Sequence, residues 1–306
     1  MSAEEGPCDQ EEAHRERDGD HDVVDAGATL LAERVQTHSF SIVPAVSDPH
    51  FETIHYERAA GVVRVTLDRS ARKNAVNEQM WVELRAAFET MAADGDDRVL
   101  VITGAGDAFC SGADLSGAED SDRHHLARMR IIGDACLALH RIPKPTIARV
   151  NGVAAGAGLN LALACDLIVA SSDARFSEIF ARRGLSVDFG GSWVLPRLVG
   201  LHRAKELVLL ADIIDAAEAE RLGLVNRVVA PEELDAVVDD WARRLADGPP
   251  IALGLSKRLL NDSAGRTLEE ALEDESRAQT INFATADAME AITAFFQKRT
   301  PVFRGH

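Results

Sequence analysis

A stretch of small residues in the middle of the chain constrains the fold more than any other feature. A strand-like run at 146–150 leads through Asn151-Gly152 into almost uninterrupted small residues at 154–158, and an apolar helical run follows at 159–165. Glycine permits positive φ and lets a ligand approach the main chain closely. A helix N-terminus presents unpaired N–H groups and a partial positive charge. The stretch therefore predicts either a site for an anionic oxygen or close packing of a helix on a sheet.

A second small-residue turn follows an earlier strand-like run. Residues 99–103 are continuously apolar, which is typical of a strand buried on both faces, and they lead to Ser-Gly-Ala-Asp-Leu at 111–115. Two strand ends that each supply a backbone N–H can converge on one oxygen. Acyl chemistry that forms an enolate requires such a pair of fixed donors. The two turns together therefore favour an oxygen-binding site.

The glycines at 152, 156 and 158 also have the spacing of short-chain dehydrogenases. In that class, however, the glycine motif lies in the first strand and turn, whereas here it lies halfway along the chain. The class also needs a Tyr-x-x-x-Lys pair, and the only tyrosine, Tyr56, has Ala60 at the lysine position. The sequence therefore argues against a nicotinamide enzyme.

Negative charge is concentrated at the start of the chain. Residues 1–50 contain twelve Asp or Glu against three Arg, within a net charge of −17 for the 306 residues. This balance offers phosphates no basic surface, so nucleic acid is not an expected partner. We expect residues 1–50 to be an acidic, disordered extension without chemistry of its own.

No segment predicts a membrane span, a signal peptide or a metal site. No apolar run reaches the roughly 18 residues that a spanning helix needs. The acidic N-terminus lacks an apolar core segment, so we expect a cytoplasmic protein. The four cysteines are widely spaced, and Cys110, Cys136 and Cys165 are expected to be buried free thiols.

The order of predicted elements indicates an α/β fold. Runs at 51–57 and 62–67 predict a hairpin, and residues 167–170 predict another buried strand. After residue 200 almost every segment has helical periodicity. Alternating strands and helices followed by a run of helices predict an α/β core at 51–245 and a helical C-terminal region at 246–306.

Several ordered segments of the sequence resemble the enoyl-CoA hydratase/isomerase, or crotonase, superfamily. They are residues 109–117, 143–171, 174–200, 219–229 and 294–303. The resemblance runs from about residue 51 to the end and implies a crotonase-like ββα spiral core with a helical C-terminal trimerisation region. It also implies a homotrimer or a hexamer. The implied substrate is an acyl-CoA thioester, so coenzyme A is part of the substrate and no separate cofactor is expected.

The resemblance assigns candidate binding residues by position. The two main-chain N–H groups of the family's oxyanion hole fall at Ala113 and at Ala157, where the family usually has Gly. Alanine keeps the N–H donor. The implied CoA contacts are Arg72, Lys73, Asp114, Leu115, Phe295 and Lys298. The alternative for the basic residues is ordinary solvated surface charge.

The sequence departs from the family at the acid–base positions. Hydratases of the family place one Glu after the glycine-rich turn and a second before the next glycine, and these positions are Asn160 and Phe180 here. The usual pair of carboxylates that holds and activates a water is therefore absent. Glu178 lies two residues from the second position and is expected to be structural, because only an added turn of the chain would aim it inward.

Asp188 supplies a different carboxylate. Isomerases of the superfamily carry Asp at this position, where hydratases carry Gly or Ala, and one carboxylate can move a proton between two carbons through a dienolate. Its apolar neighbours are expected to raise its pKa towards that of a general base. The alternative is that Asp188 caps the helix that starts at 189 or 190.

Three functions remain open from the sequence. The favoured reaction is double-bond isomerisation of an enoyl-CoA by the Asp188 shuttle. The second is enoyl-CoA hydration of the fatty-acid β-oxidation type, with Asn160 placing the water. The third, from a different class, is a non-catalytic CoA-binding scaffold, which the loss of both glutamates would suit. Residues 116–135 and 176–190 are expected to line the acyl pocket.

Overall fold

The computed structural model describes residues 50–116 and 124–306. The acidic extension predicted for residues 1–50 lies outside these ranges apart from His50. The division of the remaining chain into a core at 51–245 and a helical region at 246–306 stays a prediction.

A six-stranded sheet forms the centre of the described chain. Its strands run in the order β1-β2-β3-β5-β7-β10, with β1 and β2 antiparallel and the others parallel. They are β1 (Ile54–Ala59), β2 (Val62–Leu67), β3 (Val99–Gly104), β5 (Thr146–Val150), β7 (Leu167–Ser171) and β10 (Arg227–Val229). The predicted hairpin is confirmed, and Ala60 and Gly61 turn it with φ values of 50° and 77°. Every residue of β3 is buried, as its apolar run predicts.

A second, smaller sheet carries the two turns that the sequence singled out. Its order is β4-β6-β8-β9, with ranges β4 (Ala108–Cys110), β6 (Val153–Ala155), β8 (Arg175–Ser177) and β9 (Ile214–Asp215). The sequence predicts neither β4 nor β6, which lie in or beside the two small-residue turns. Strands of three residues are too short to show a period-two pattern. Glycine accounts for the close packing, since a Cβ on Gly158 would lie 2.3 Å from the carbonyl oxygen of Cys110.

The described ranges contain helices that pack on the two faces of the six-stranded sheet and helices that pack mainly on other helices. They are α1 (Glu78–Ala93), α2 (His125–His140), α3 (Ala157–Leu163), α4 (Gly191–Leu210), α5 (Ala216–Leu222), α6 (Leu234–Ala246), α7 (Pro250–Ser263), α8 (Leu268–Phe283) and α9 (Ala286–Gln297). Leu100 and Ile102 of β3 pack into the core that contains α1, whereas Val99 and Val101 pack against α6. This alternation follows from the strand period of two. A break at Gly200 (φ 74°, ψ 160°) divides α4 into two helical segments.

The C-terminal helices α7 to α9 expose many large apolar side chains. The most exposed are Leu260, Leu268, Phe283, Met289, Phe295 and Phe296, at 60–77%. Apolar surface of this extent is typical of an interaction site. No helix in the described ranges is both long and apolar enough to cross a bilayer.

Glu83 of α1 anchors the chain where it enters β1. Its carboxylate accepts hydrogen bonds from the amides of Glu52 and Thr53, both 2.9 Å, from Thr53 Oγ1 at 2.5 Å and from Gln79 Nε2 at 2.8 Å. Burial raises the pKa of Glu83, but these hydrogen bonds outweigh it and the pKa is lowered overall.

We expect Glu83→Gln to lower the free energy of unfolding by about 1–3 kcal/mol at pH 7, because a charged acceptor of several hydrogen bonds is lost. A lowered pKa gives stability that is present above the unfolded value and disappears as the pH falls through the folded value. The difference between the two proteins should therefore shrink on acidification below about 4.5, the ordinary pKa of the group. Urea denaturation at several pH values measures it, and equal stability at pH 7 would contradict this account.

Candidate active site

The turns that follow β4 and β6 touch each other. The two strands are parallel neighbours, with Cys110 opposite Ala154, so both turns leave the same edge of the sheet. Gly112 has φ 103°, and a Cβ there would lie 2.8 Å from the Ala155 carbonyl oxygen and 3.8 Å from the Ala157 nitrogen. Glycine is therefore required at 112 for two reasons, backbone conformation and close approach.

Ala113 and Ala157 each carry a main-chain N–H without a backbone acceptor among the described residues. Ala157 is the first residue of α3, and N–H groups in the first turn of a helix have no intrahelical partner. Ala113 bridges Val76 in parallel: Val76 N donates to Gly112 O at 2.8 Å, and Asp114 N donates to Val76 O at 2.9 Å. The two donors thus lie on contacting turns.

The carboxylate of Asp114 holds the loop of Ala113 in place. Arg69 Nη2 donates to Asp114 Oδ2 at 2.8 Å, and Ser116 Oγ donates to Asp114 Oδ1 at 2.6 Å. The Ser116 hydroxyl is the main cause that lowers the pKa of Asp114 to about 2, and the hydrogen bond from Arg69 adds to it against the effect of burial. Asp114 therefore supports the loop, while its contact with CoA stays a prediction.

Arg72 and Lys73 lie beside the same loop. Ser111 N donates to Lys73 O at 3.0 Å, and Ser111 Oγ donates to Arg72 O at 3.3 Å. Both basic side chains are exposed, and Arg72 Nη1 donates to Ser116 Oγ at 3.4 Å. The structure thus brings this basic loop next to the turn of Ala113.

The other CoA candidates are exposed. Leu115 is 53% exposed at the edge of the Ala113 loop. Phe295, 77% exposed, and Lys298 lie at the C-terminal end of α9, which packs against α8. Within the described ranges, no hydrogen bond, ion pair or ring contact joins Phe295 or Lys298 to the turns of Ala113 and Ala157.

Residues from the first segment predicted to line the acyl pocket border a small cleft, and the lining itself stays a prediction. Ile131, Ile132 and Arg128 of α2 border a cleft of about 50 Å³ together with Ala113 and Trp81. The pocket lining predicted at 117–123 lies outside the described residues.

Asp188 is half-buried in the turn before α4. Phe189 and Gly190 both adopt positive φ, 46° and 76°, and the Phe189 ring stacks on Trp81 with centroids 5.1 Å apart. The helix is capped by Gly190 without a side-chain hydrogen bond, so the alternative that Asp188 caps it is wrong. Asp188 Oδ1 is buried without a hydrogen-bond partner among the described residues. Burial raises the pKa of Asp188 to about 6.

Asn160 joins the Ala157 helix to the Asp188 turn. Its Nδ2 donates to the main-chain oxygen of Asp188 at 3.0 Å and lies 3.5 Å from Glu178 Oε2. A Cβ on Gly191 would lie 2.4–2.6 Å from the Asn160 amide atoms, so glycine at 191 leaves room for this side chain. Asn160, which stands at the position of the family's first Glu, thus holds the Asp188 turn against α3.

Glu178 is the residue that sequence reasoning undervalued. It is 1% exposed, and its Oε1 has no hydrogen-bond partner among the described residues. Burial raises its pKa to about 8, with the Asn160 hydrogen bond lowering it and the charge of Asp188 raising it. The sequence carries no periodic signal for this burial, because β8 ends at Ser177 and Phe176, Ser177 and Glu178 are buried in succession.

Comparison with known proteins identifies the family. The enoyl-CoA hydratase/isomerase family profile matches residues 57–306. A probable enoyl-CoA hydratase of Rhodobacter capsulatus is 40% identical over 256 residues, which cover 83% of this chain and 99% of the relative. The 1,2-epoxyphenylacetyl-CoA isomerase of Escherichia coli K12 is 37% identical over 256 residues, covering 82% and 97%.

A solved structure agrees with these relatives. An enoyl-CoA hydratase of Mycobacterium smegmatis superposes with a TM-score of 0.78 at 36% identity, covering 82% of this chain and 99% of that one. The chain therefore belongs to the enoyl-CoA hydratase/isomerase family and has the crotonase fold.

We expect Gly112→Ala to destabilise the protein by about 1–3 kcal/mol, because alanine is strained at positive φ and its Cβ would overlap the Ala155 carbonyl. Gly95→Ala is the matched control, since a Cβ at 95 meets no heavy atom within 4 Å and φ there is not positive. Urea denaturation compares the two. Equal unfolding free energies for both variants would show that the contact at Gly112 is not as tight as described.

Proposed function

We propose that this chain isomerises the double bond of an enoyl-CoA, with the N–H groups of Ala113 and Ala157 binding the thioester oxygen and Asp188 moving the proton. The observation that carries the proposal is the Asp188 carboxylate, whose Oδ1 is buried and has no hydrogen-bond partner among the described residues. The main-chain oxygen of Asp188 accepts from Asn160, which lies on the helix that begins at Ala157. Membership of the family supports an acyl-CoA thioester as the substrate.

The chemistry requires a base and a place for negative charge. Asp188 takes a proton from a carbon next to the double bond, and the electrons move through the dienolate to the thioester oxygen. Two fixed N–H donors stabilise that oxygen without reorganisation. Asp188 then returns the proton to the other end of the dienolate. A carboxylate with a pKa of about 6 is ionised at neutral pH yet more basic than an ordinary Asp.

The basic loop and the C-terminal helix are proposed to bind CoA. Arg72 and Lys73 are exposed beside the Ala113 loop, where they can meet phosphate groups. Phe295 and Lys298 would reach the CoA of a neighbouring subunit in a homotrimer or a hexamer, and the exposed apolar side chains of α7 to α9 support such an assembly. Oligomeric state and cytoplasmic location stay predictions.

Hydration of a 2-enoyl-CoA is the second candidate. It is favoured by the position of Glu178 and Asn160 next to Asp188, since two carboxyl groups and an amide can hold a water for addition to the double bond. Several relatives are named as hydratases, among them the crotonyl-CoA hydratase of Syntrophomonas wolfei at 36% identity. Both reactions use the same pair of N–H donors.

Substrate profiling of wild type and Asp188→Asn separates the functions. We expect wild type to isomerise 3-enoyl- or dienoyl-CoA and the variant to lose activity by about 10²–10⁴-fold, the usual effect of a general base. Chromatography of the CoA products measures both reactions. Hydration of 2-enoyl-CoA that survives in the variant would overturn the role of Asp188, and acyl-CoA binding without turnover by wild type would indicate the scaffold.

Ala157→Pro tests the oxyanion donor. Proline is tolerated at the first position of a helix and lacks the N–H, so the fold should persist while kcat falls by about 10²–10³-fold. Ala157→Gly is the control, because it keeps the N–H. Steady-state kinetics and circular dichroism measure the two effects. Unchanged kcat in folded Ala157→Pro would remove Ala157 from the site.

A further inference from the structure

The isomerisation proposed for Asp188 leaves one buried carboxyl group unused. Glu178 is 1% exposed, stands at the start of the 3-10 helix Ile179–Arg183 and faces the same Asn160 amide as the Asp188 turn. A buried carboxyl group without a cationic partner is unfavourable as an ion. Its presence in this position therefore calls for a physical explanation.

The Asn160 amide has no donor left for the Asp188 carboxylate. An amide nitrogen carries two hydrogens, and those of Asn160 point to the main-chain oxygen of Asp188 and to Glu178 Oε2. Its own Oδ1 has no partner among the described residues. Asn160 thus fixes the backbone of Asp188 while it contacts the carboxyl of Glu178.

The unpartnered atoms of this cluster lack a proton donor. Asn160 Oδ1, Glu178 Oε1 and Asp188 Oδ1 are all buried without partners among the described residues. If both carboxyl groups were ionised, all three atoms would be acceptors, and buried acceptors without donors are destabilising. One proton on Glu178 turns Oε1 into a donor and removes one of two like charges. One proton on the carboxyl pair therefore removes one of two buried like charges from the cluster.

The surroundings of Glu178 supply no compensating cation within the described ranges. Asp188 faces it from the turn before α4, and Cys136 of α2 faces Asp188 with a thiol whose pKa burial and Asp188 raise to about 11. On its own 3-10 helix, Arg182 and Arg183 are exposed, and Arg182 Nη2 pairs with Asp212 Oδ1 at 2.7 Å. Negative charge and apolar groups thus dominate around Glu178.

We propose that Glu178 is a positioning residue for Asp188: as a neutral acid held by Asn160, which also holds the main-chain oxygen of Asp188, it keeps Asp188 ionised and in place as the base. The proposal rests on the proposed role of Asp188. Ionised Glu178 would compete for the Asn160 amide and add negative charge where the enolate must form, which opposes oxyanion stabilisation. Activity therefore needs Asp188 ionised and Glu178 protonated.

This state exists between the two titrations of the pair. The pKa of Asp188 is raised to about 6 and that of Glu178 to about 8, both by burial first. Activity should rise as the pH increases through the lower value and fall as it increases through the upper one. Carboxyl groups do not ordinarily cause an alkaline limb, so the upper limb is a specific signature of this pair.

The test compares pH profiles of kcat/KM for wild type and Glu178→Gln on the enoyl-CoA that wild type isomerises. We expect wild type to be bell-shaped and to fall at pH 9 to about a tenth of its maximum, as one group titrating near 8 requires. Glutamine is neutral at every pH and keeps a donor, so the variant should keep the acid limb and lose the alkaline one. Glu83→Gln removes another buried carboxylate, whose partners are Glu52, Thr53 and Gln79 and not Asn160, and it should keep both limbs.

Two outcomes would overturn the proposal: a wild type without an alkaline limb near pH 8, or a Glu178→Gln variant whose alkaline limb matches that of wild type. If Asp188→Asn retains full activity, the proposed function itself fails, which is a different result. Should Glu178→Gln not fold, the temperature dependence of the wild-type alkaline limb decides. A carboxyl group ionises with little enthalpy change, so a limb that shifts strongly with temperature would belong to a thiol or an amine and would contradict the proposal.

Discussion

The backbone contact between the turns after β4 and β6 is the constraint on which the site depends. A Cβ on Gly112 would lie 2.8 Å from the Ala155 carbonyl oxygen, so the two turns are too close for a side chain at 112. Parallel pairing of three-residue strands places them there, and the unpaired N–H of Ala157 follows from its position at the start of α3. The proposed oxygen site is therefore a property of the backbone, which explains why Ala can replace Gly at 157.

Most of the sheet and the helices could be predicted from the sequence, because long apolar runs and helical periods are local signals. The hairpin and β3 are confirmed. The strands β4 and β6 could not be predicted from their three residues, because it is their pairing with each other, across a long stretch of chain, that defines them as strands. Family resemblance located Ala113, Ala157 and Asp188, whereas their roles stay predictions.

Glu178 shows why burial of an acid is hard to foresee. Its place in the family pattern predicts a structural role for Glu178. The backbone of Glu178 is irregular (φ −80°, ψ 59°) before a 3-10 helix, and its side chain lies next to Asn160. No local propensity encodes that conformation. The charge environment that follows depends on side chains from α3 and from the turn before α4, which are brought together only by the fold.

The turn at Asp188 is held without help from the aspartate side chain. Asn160 Nδ2 and Gly191 N both donate to its main-chain oxygen at 3.0 Å, and Phe189 anchors the next residue on Trp81. The conformation of the turn therefore does not depend on the side chain at 188, and a different side chain can occupy this position without a change of the turn. A substitution at position 188 can then change the type of reaction, while the backbone N–H groups proposed to bind the oxygen stay the same.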